Sequence, residues 1–432
     1  MSTVTQTLAA IADERGERYE VFIRYGEHEG NVVVDLGRND DKVALVTAEG
    51  WEIVDDHPTK FHRPNGMLPL PLPERGGLLK EFQALMQLPD DVWHLLLAHL
   101  IASVNPRGPY LILMLEGDHG SGKTLLCKFL RQLIDPHAVP VITLSGDDRD
   151  LMVTAEGNWL LNFDNLSSIR RDLSDALCRL ATGGGFMTRK LYSDSDRQIF
   201  RSTRPMIMNG ITAYATNADL RDRAVFVHLP ALAEDKRLTE RALEEAFEAM
   251  RPRLLGAILD IISAAIRFRP GTVAPTSLRM TDCAHWIQAA ERSLDIPAGA
   301  LVSAIKASQT DKADEFSAMD EVYQQLLAFL CMPPFAGGTP RKEFTGTIGE
   351  LKSYLDIEGM SFSMQQRIGT PKAFSDYLKR GKKEWLALGL GIDFGNRGKD
   401  GRKVRICLTP EALGIPKTLA IVEVLKDLPP VF

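Results

Sequence analysis

PYLILMLEGDHGSGKTLLCKFL, from Pro109 to Leu130, governs how the residues on either side of it are read. After Tyr110 come Leu111, Ile112, Leu113, Met114 and Leu115, a short apolar run bounded by Pro109 and Gly117. Such a run predicts a strand buried on both faces of a parallel sheet. Gly117-Asp118-His119-Gly120-Ser121-Gly122-Lys123-Thr124 then matches G-x-x-x-x-G-K-[ST] at every fixed position. Leu125, Leu126, Phe129 and Leu130 recur at helical spacing, so a helix is predicted to open at Lys123. The glycines let the backbone wrap closely around a phosphate chain with its N–H groups pointing inward. The helix N-terminus adds partial positive charge, Lys123 can reach the β- and γ-phosphates, and Thr124 can hold Mg²⁺. A glycine-rich turn matching by chance needs neither the strand before nor the helix after. The combination implies a nucleoside triphosphate site built from Gly117, Gly120, Ser121, Gly122, Lys123 and Thr124, with Mg²⁺ as cofactor.

The totals bound the rest. A chain of 432 residues suggests two to four domains. With 44% hydrophobic and 25% charged residues and a formal net charge of -6, the composition is globular, and any basic surface must be local. Five cysteines are scattered without a C-x-x-C pair, which argues for reduced thiols and against a zinc framework. The polar N-terminus does not suit a signal peptide, and no apolar run approaches the roughly 18 residues that span a bilayer. A soluble, cytoplasmic protein is expected.

Upstream, residues 1–64 read as a small β-rich domain with β-branched runs at 19–25, 31–36 and 42–46, a collar or a protein-docking module. Residues 65–77 are a Pro/Gly-rich linker, and 78–104 reads as helical. His94 and His99 are five apart, which does not place two ligands on one helical face, so they read as packing residues.

Downstream, short apolar runs alternate with helical patterns to residue 230, the signature of an α/β layer with a mostly parallel sheet. Asn158 to Asn165 is a strand carrying Asp164, about forty residues past the phosphate loop. An acid on such a strand completes the Mg²⁺ shell in P-loop NTPases, so Thr124 and Asp164 are the expected metal ligands. Arg204 to Gly210 is a further strand whose Asn209 suits orienting a water near the γ-phosphate. Arg221 and Arg223 precede another buried strand; an arginine there either enters a neighbouring subunit's site or forms a surface salt bridge. Lys123, Asp164, Asn209, Arg223 and Arg221 are the catalytic candidates. Between the second and third strands, Ala181 to Asp194 is glycine-rich. A hairpin there would project Arg189 and Lys190 towards a phosphate backbone, unless the segment is a solvated loop or its arginines contact nucleotide.

Residues 231–314 read as a helical lid with helices at 238–250, 254–266 and 280–294. Beyond it, helical patterns at 318–330, 347–355 and 371–390 lead to two strands joined by a basic loop, the order of a winged helix. Residues 371–405 hold ten Lys/Arg against four Asp/Glu, the local charge expected of a phosphate-binding surface. Lys379, Arg380, Lys382 and Lys383 fall on or near the third helix, and Arg397, Lys399, Arg402 and Lys403 on the wing. The alternative is a winged helix that binds protein.

Phosphate loop, strand with Asp164, basic hairpin, strand with Asn209, then Arg223 is an order that resembles the superfamily 3 helicases of the AAA+ class. It is most similar to the primase-associated helicases of phages, plasmids and integrated elements. Asp164 to Ser167 (DNLS), LATGGGFMTRKLY and RPMIMNGI carry the resemblance, which covers roughly residues 78–310. It implies a P-loop AAA+ three-layer α/β core of residues 78–230 with a helical lid; the winged-helix DNA-binding domain over 315–432 is expected from the element order and local charge described above. The resemblance also implies an ATP-dependent helicase: a homo-hexameric ring with ATP between subunits and single-stranded DNA in its channel, moving 3′→5′ on forked substrates. A separate primase or primase-polymerase is the expected partner. One departure matters. Many AAA+ ATPases place a second acid after the metal-binding aspartate, and here that residue is Asn165. Either Asp164 serves both tasks, another residue supplies the base, or hydrolysis is weak. In the last case the chain would be an ATP-switched initiator or regulator that does not unwind DNA.

Overall fold

The computed structural model describes residues 3–117, 120–144, 147–189, 197–200, 202–210, 217–230, 238–318, 320–331, 341–355, 357, 359–360, 364–365, 368–398 and 401–409. The chain divides into two compact units, Met1–Gln309 and Thr310–Phe432.

The first unit opens with helix α1 (Thr3–Arg15), which no sequence pattern announced. Strands β1 (Val21–Phe22), β2 (Tyr25–His28), β3 (Asn31–Asp35), β4 (Val43–Thr47), β5 (Gly50–Val54) and β6 (Lys60–Phe61) follow. β2 to β5 form an antiparallel meander, and β1 pairs with β6. The single strand expected at 19–25 is broken at Arg24, whose φ of 61° lies in the left-handed region. Arg24 is wholly buried. Its Nε donates to Asp135 Oδ1 at 3.1 Å, and its other nitrogens donate to the carbonyls of Asp35 and Leu68. Asp135 Oδ2 in turn accepts the N–H groups of Trp159 and Leu160. A buried charge must be paired in this way, because removing one partner costs about 3–5 kcal/mol. The contact ties the meander to the strand and helix that carry the phosphate loop's neighbours, and Val32, Val34, Ala44 and Val46 share one apolar cluster with the helices that follow.

Residues 78–104 form two helices, α2 (Leu79–Leu85) and α3 (Asp90–Ser103). Pro89 caps α3, and Asp90 and Asp91 place negative charge on its positive end. Next come β7 (Ile112–Glu116), α4 (Lys123–Ile134), α5 (Asp148–Glu156), β8 (Leu161–Leu166) and α6 (Arg171–Thr182). The hairpin β9 (Phe186–Arg189) and β10 (Arg197–Phe200) leads to β11 (Met206–Gly210), α7 (Ala218–Arg221) and β12 (Ala224–His228). β12-β7-β11-β8 is an all-parallel sheet in that order. Because side chains alternate along a strand, each one feeds two cores. Leu113, Leu115, Ile207, Val225 and Val227 enter the cluster that holds α3, α4 and the meander. Ile112, Met114, Met206, Met208 and Phe226 enter the cluster of α5 and α6 on the other face. These strands therefore read as continuous apolar runs.

The unit closes with α8 (Glu240–Phe268), α9 (Thr281–Glu291) and most of α10 (Ala300–Ala318). α8 runs unbroken through Pro252, where two helices were expected. The backbone of Glu74, in the Pro/Gly-rich linker, donates to the Pro252 carbonyl at 3.0 Å.

The second unit holds α11 (Glu321–Cys331), β13 (Glu343–Thr347), α12 (Ile348–Ser353), α13 (Pro371–Ala387), β14 (Leu390–Gly398) and β15 (Gly401–Leu408). The sheet has three strands, β13-β15-β14, rather than the expected hairpin alone. β13 pairs antiparallel with β15 from Glu343 opposite Cys407 to Thr347 opposite Lys403. Val404 and Ile406 on β15, with Leu390 and Ile392 on β14, cover a core of Leu326, Leu351, Phe374 and Trp385. Among the described residues no helix is long and apolar enough to cross a membrane.

Candidate nucleotide-binding site

The parallel sheet gathers Lys123, Thr124, Asp164 and Asn209 at the carboxyl edge of its strands, where open α/β sheets bind ligands. A cleft of about 520 Å³ opens there, lined by Gly120 to Leu125, Lys128, Asp164, Asn165, Asn209, Gly210 and Glu240. Its floor is the turn from β7 into α4. Gly120 and Gly122 have φ of 78° and 82°, a conformation that suits glycine. A Cβ on Gly117 would lie 2.5 Å from the Leu229 carbonyl, so the loop can close against the end of β12 only with glycine there. Asp118 and His119 lie outside the described residues. Lys123 Nζ donates to the Gly117 carbonyl at 2.7 Å and to Ser121 Oγ at 3.3 Å, spanning the loop from its helix end to its strand end.

Thr124 and Asp164 are forty residues apart in sequence, yet the Thr124 hydroxyl donates to Asp164 Oδ1 at 3.4 Å. This hydroxyl–carboxylate pair is a hard oxygen donor set of the kind Mg²⁺ takes. β8 is irregular at this point. Met208 pairs with Phe163 and Gly210 with Leu166, so Asn209 alone faces both Asp164 and Asn165. The extra residue forms a β-bulge, and Asn165 adopts a φ of 57°. Strict alternation would send Asp164 and Asn165 to opposite faces; the bulge turns both into the cleft.

Asn209 is only 2% exposed. Its Oδ1 accepts the Asn165 backbone N–H at 3.2 Å, and its Nδ2 donates to Cys127 Sγ at 3.4 Å. Burial pushes the Cys127 thiol up to about 12 and keeps it protonated. At the cleft mouth, Lys128 pairs with Glu240 of α8 at 3.3 Å. Sequence reasoning missed this contact between residues 112 apart.

Arg221 and Arg223 do not line the cleft. Arg221 is buried at the end of α7. Arg223 is held by Asp219, its guanidinium 2.7 Å from Asp219 Oδ1 and donating to the Asp219 carbonyl at 2.6 Å. Arg279, half exposed, shares the same carboxylate at 2.6 Å. Against the pull of burial, Arg223 and Arg279 hold the Asp219 carboxyl below the usual range.

The DNA-contact candidates lie elsewhere. Arg189 ends β9 opposite Arg197 in the antiparallel pair; Lys190 lies outside the described residues. On α13, Lys379 pairs with Asp376 at 2.7 Å, Lys382 with Asp393 at 3.1 Å, and Arg380 lies over the Tyr377 ring. Arg402 and Lys403 are on β15, and the backbone of Arg397 on β14 pairs with Arg402. The Lys383 side chain and Lys399 lie outside what is described.

No curated protein matches the chain. Among solved structures, the apo C-terminal region of NrS-1 matches at 11% identity and a TM-score of 0.36, covering 85% of this chain and 94% of that one. The JCV helicase matches at 14% identity and a TM-score of 0.24, covering 54% of this chain and 71% of that one. Residues 85–315, more than half of the sequence, match the actinomycete integrative conjugative element replication proteins, and the chain belongs to that family of mobile-element replication proteins.

Proposed function

We propose that the chain is an ATP-dependent DNA helicase or translocase serving replication of its mobile element. The observation that carries this reading is the convergence of Lys123, Thr124 and Asp164 on one cleft at the carboxyl edge of β7 and β8. Lys123 and the loop N–H groups would grip the triphosphate, and Thr124 with Asp164 would hold Mg²⁺. When bound, the metal supplies positive charge against the phosphate oxygens. Among the described residues no cluster of three His, Cys, Asp or Glu offers a rival metal site. The layout supports a P-loop AAA+ core with a winged-helix module; in this reading the chain works as a homo-hexameric ring on single-stranded DNA, with a separate primase as its partner. Arg223 would serve a neighbour's site only if Asp219 released it. In the channel Arg189 and Lys190 would grip the strand.

The second reading is an ATP-switched initiator with slow turnover, favoured by the neutral amide of Asn165 beside Asp164. ATPase rate with and without single-stranded DNA, measured beside strand separation on a forked duplex, decides between them. A helicase shows DNA-stimulated turnover and unwinding, both lost in Lys123→Ala. Stimulated turnover without unwinding selects the initiator, and turnover retained in Lys123→Ala overturns the phosphate-loop assignment.

A further inference from the structure

We propose that the second unit carries a stacking platform for an unpaired base of single-stranded DNA, built by Tyr354, Phe329, Phe344 and Arg341. The inference rests on the DNA reading above and adds a site to it, separate from the basic residues of α13 and β15.

The four side chains come from α11, α12 and the start of β13. Phe329 lies on α11, Phe344 on β13, and Tyr354 is the C-terminal cap of α12. The Tyr354 ring stacks on that of Phe329, with centroids 5.1 Å apart and planes inclined by 28°. Phe344 stands edge-on to both, 5.6 Å from Phe329 and 5.9 Å from Tyr354. Gly346, two residues further along β13, leaves room for the Phe344 ring, because a Cβ there would lie 2.5 Å from Phe344 Cζ. Arg341 completes the group, its guanidinium 4.3 Å from the Phe329 centroid and 5.3 Å from that of Tyr354. The Glu343 N–H donates to the Arg341 carbonyl at 2.6 Å across Lys342, whose φ of 55° is left-handed, so the chain reverses beside the rings.

Phe329 and Phe344 pack against the core of the unit, and Tyr354 is seated on them while remaining 55% exposed. A ring held in this way offers a flat surface to solvent with little freedom left to lose on binding. Arg341 faces that surface and forms no ion pair among the described residues, whereas Arg405 on β15 is taken up by Glu343. Charge then selects the ligand. Lys342 is exposed beside Arg341, Glu343 is neutralised by Arg405, and Glu350 is engaged by the Thr347 N–H. An anionic chain whose units carry π-faces fits these groups, since bases stack on aromatic rings and on guanidinium planes alike. In a duplex both faces of each base are already covered, so the platform takes the single strand.

Binding of oligodeoxythymidylate to the full chain tests this. Tyr354→Ala should weaken it by about 5- to 150-fold, the loss expected for one stacked base. Tyr354→Phe keeps the ring and should bind as the native chain does. The slope of log affinity against log salt should stay native in Tyr354→Ala, because no phosphate contact is removed, and duplex affinity should not change. With iodouracil in place of thymine, irradiation of the native complex should cross-link the strand to Tyr354. Native oligonucleotide affinity in Tyr354→Ala together with no cross-link at Tyr354 overturns the inference and leaves this corner to a protein partner. Equal losses on duplex and single strand overturn it too. The cross-link alone decides if Tyr354→Ala does not fold or a tighter strand site elsewhere hides its effect. A native chain that binds no single-stranded DNA overturns the DNA reading and this inference together; one that binds it while both Tyr354 tests fail leaves the DNA reading standing.

Discussion

Burial decides the chemistry of His99. The ring is wholly enclosed in α3, with Nδ1 3.1 Å from the Leu111 carbonyl and Nε2 3.2 Å from Ser103 Oγ. In the neutral ring Nδ1–H donates to the carbonyl and Nε2 accepts the hydroxyl. Burial pushes its pKa down from 6.5 to about 4, and the Leu111 carbonyl opposes this only in part. Between those values the unfolded chain binds a proton that the native chain does not. The stability this neutral ring confers is thus complete above about pH 6.5 and is lost as pH falls towards 4. From pH 7 to pH 5 the loss is about 2 kcal/mol. Urea denaturation at the two pH values should show it in the native chain and much less in His99→Gln; equal acid sensitivity in both refutes the assignment. The spacing of His94 and His99 already argued for packing, and His99 packs. The phosphate loop was legible for a similar reason: its residues are contiguous, so their geometry is local. The left-handed Asn165 was not, because its bulge arises from pairing with β11, more than forty residues away.

Elements were legible wherever burial leaves its own pattern of apolar residues along the chain. β7, β8, β11 and β12 announce themselves as apolar runs because both faces are covered. α8 did not, because Pro252 has no N–H to continue the helix and local rules end it there. Tertiary contacts carry it through. A Cβ on Gly256 would lie 1.8 Å from the Glu74 carbonyl, and one on Gly77 would lie 2.1 Å from that of Arg253. The linker thus lies directly against the helix, which also meets the meander where Trp51 Nε1 donates to Asp260 at 2.9 Å. Two effects compete in Gly256→Ala. Helix propensity alone gains about 1 kcal/mol, but the new methyl must displace backbone, and overpacking costs about 1–3 kcal/mol. The clash is with a backbone oxygen that no side-chain rotation can relieve, so destabilisation wins. Thermal unfolding should show Tm lowered by a few degrees. Gly271→Ala, whose Cβ would meet nothing within 4 Å, serves as the control. A raised Tm in Gly256→Ala would mean the linker yields freely.

At the scale of the molecule the two units divide charge unevenly, for the chain carries -6 overall while 371–405 alone holds ten Lys/Arg against four Asp/Glu. That concentration was readable from sequence; how much of it remains available to a phosphate backbone was not. Lys379 and Lys382 are paired with Asp376 and Asp393, and Arg405 with Glu343. A cation already paired within the protein releases fewer DNA counterions than a solvated one. Among the candidate cations with described side chains, Arg380, Arg402 and Lys403 lie outside those ion pairs. Among the described side chains these three offer about three phosphate contacts, each contributing about 0.9 to the slope of log affinity against log salt. A chain ending at Ala318 keeps α10 whole and removes α11 onward. Duplex binding by that chain, titrated from low to moderate salt, should show a slope shallower by at least about 2.7 than that of the full chain. Replacing Arg380, Arg402 and Lys403 together with glutamine in the full chain should reproduce most of that difference. Should the truncated chain keep the native slope, the second unit serves protein contacts, and DNA must be held by the first unit alone.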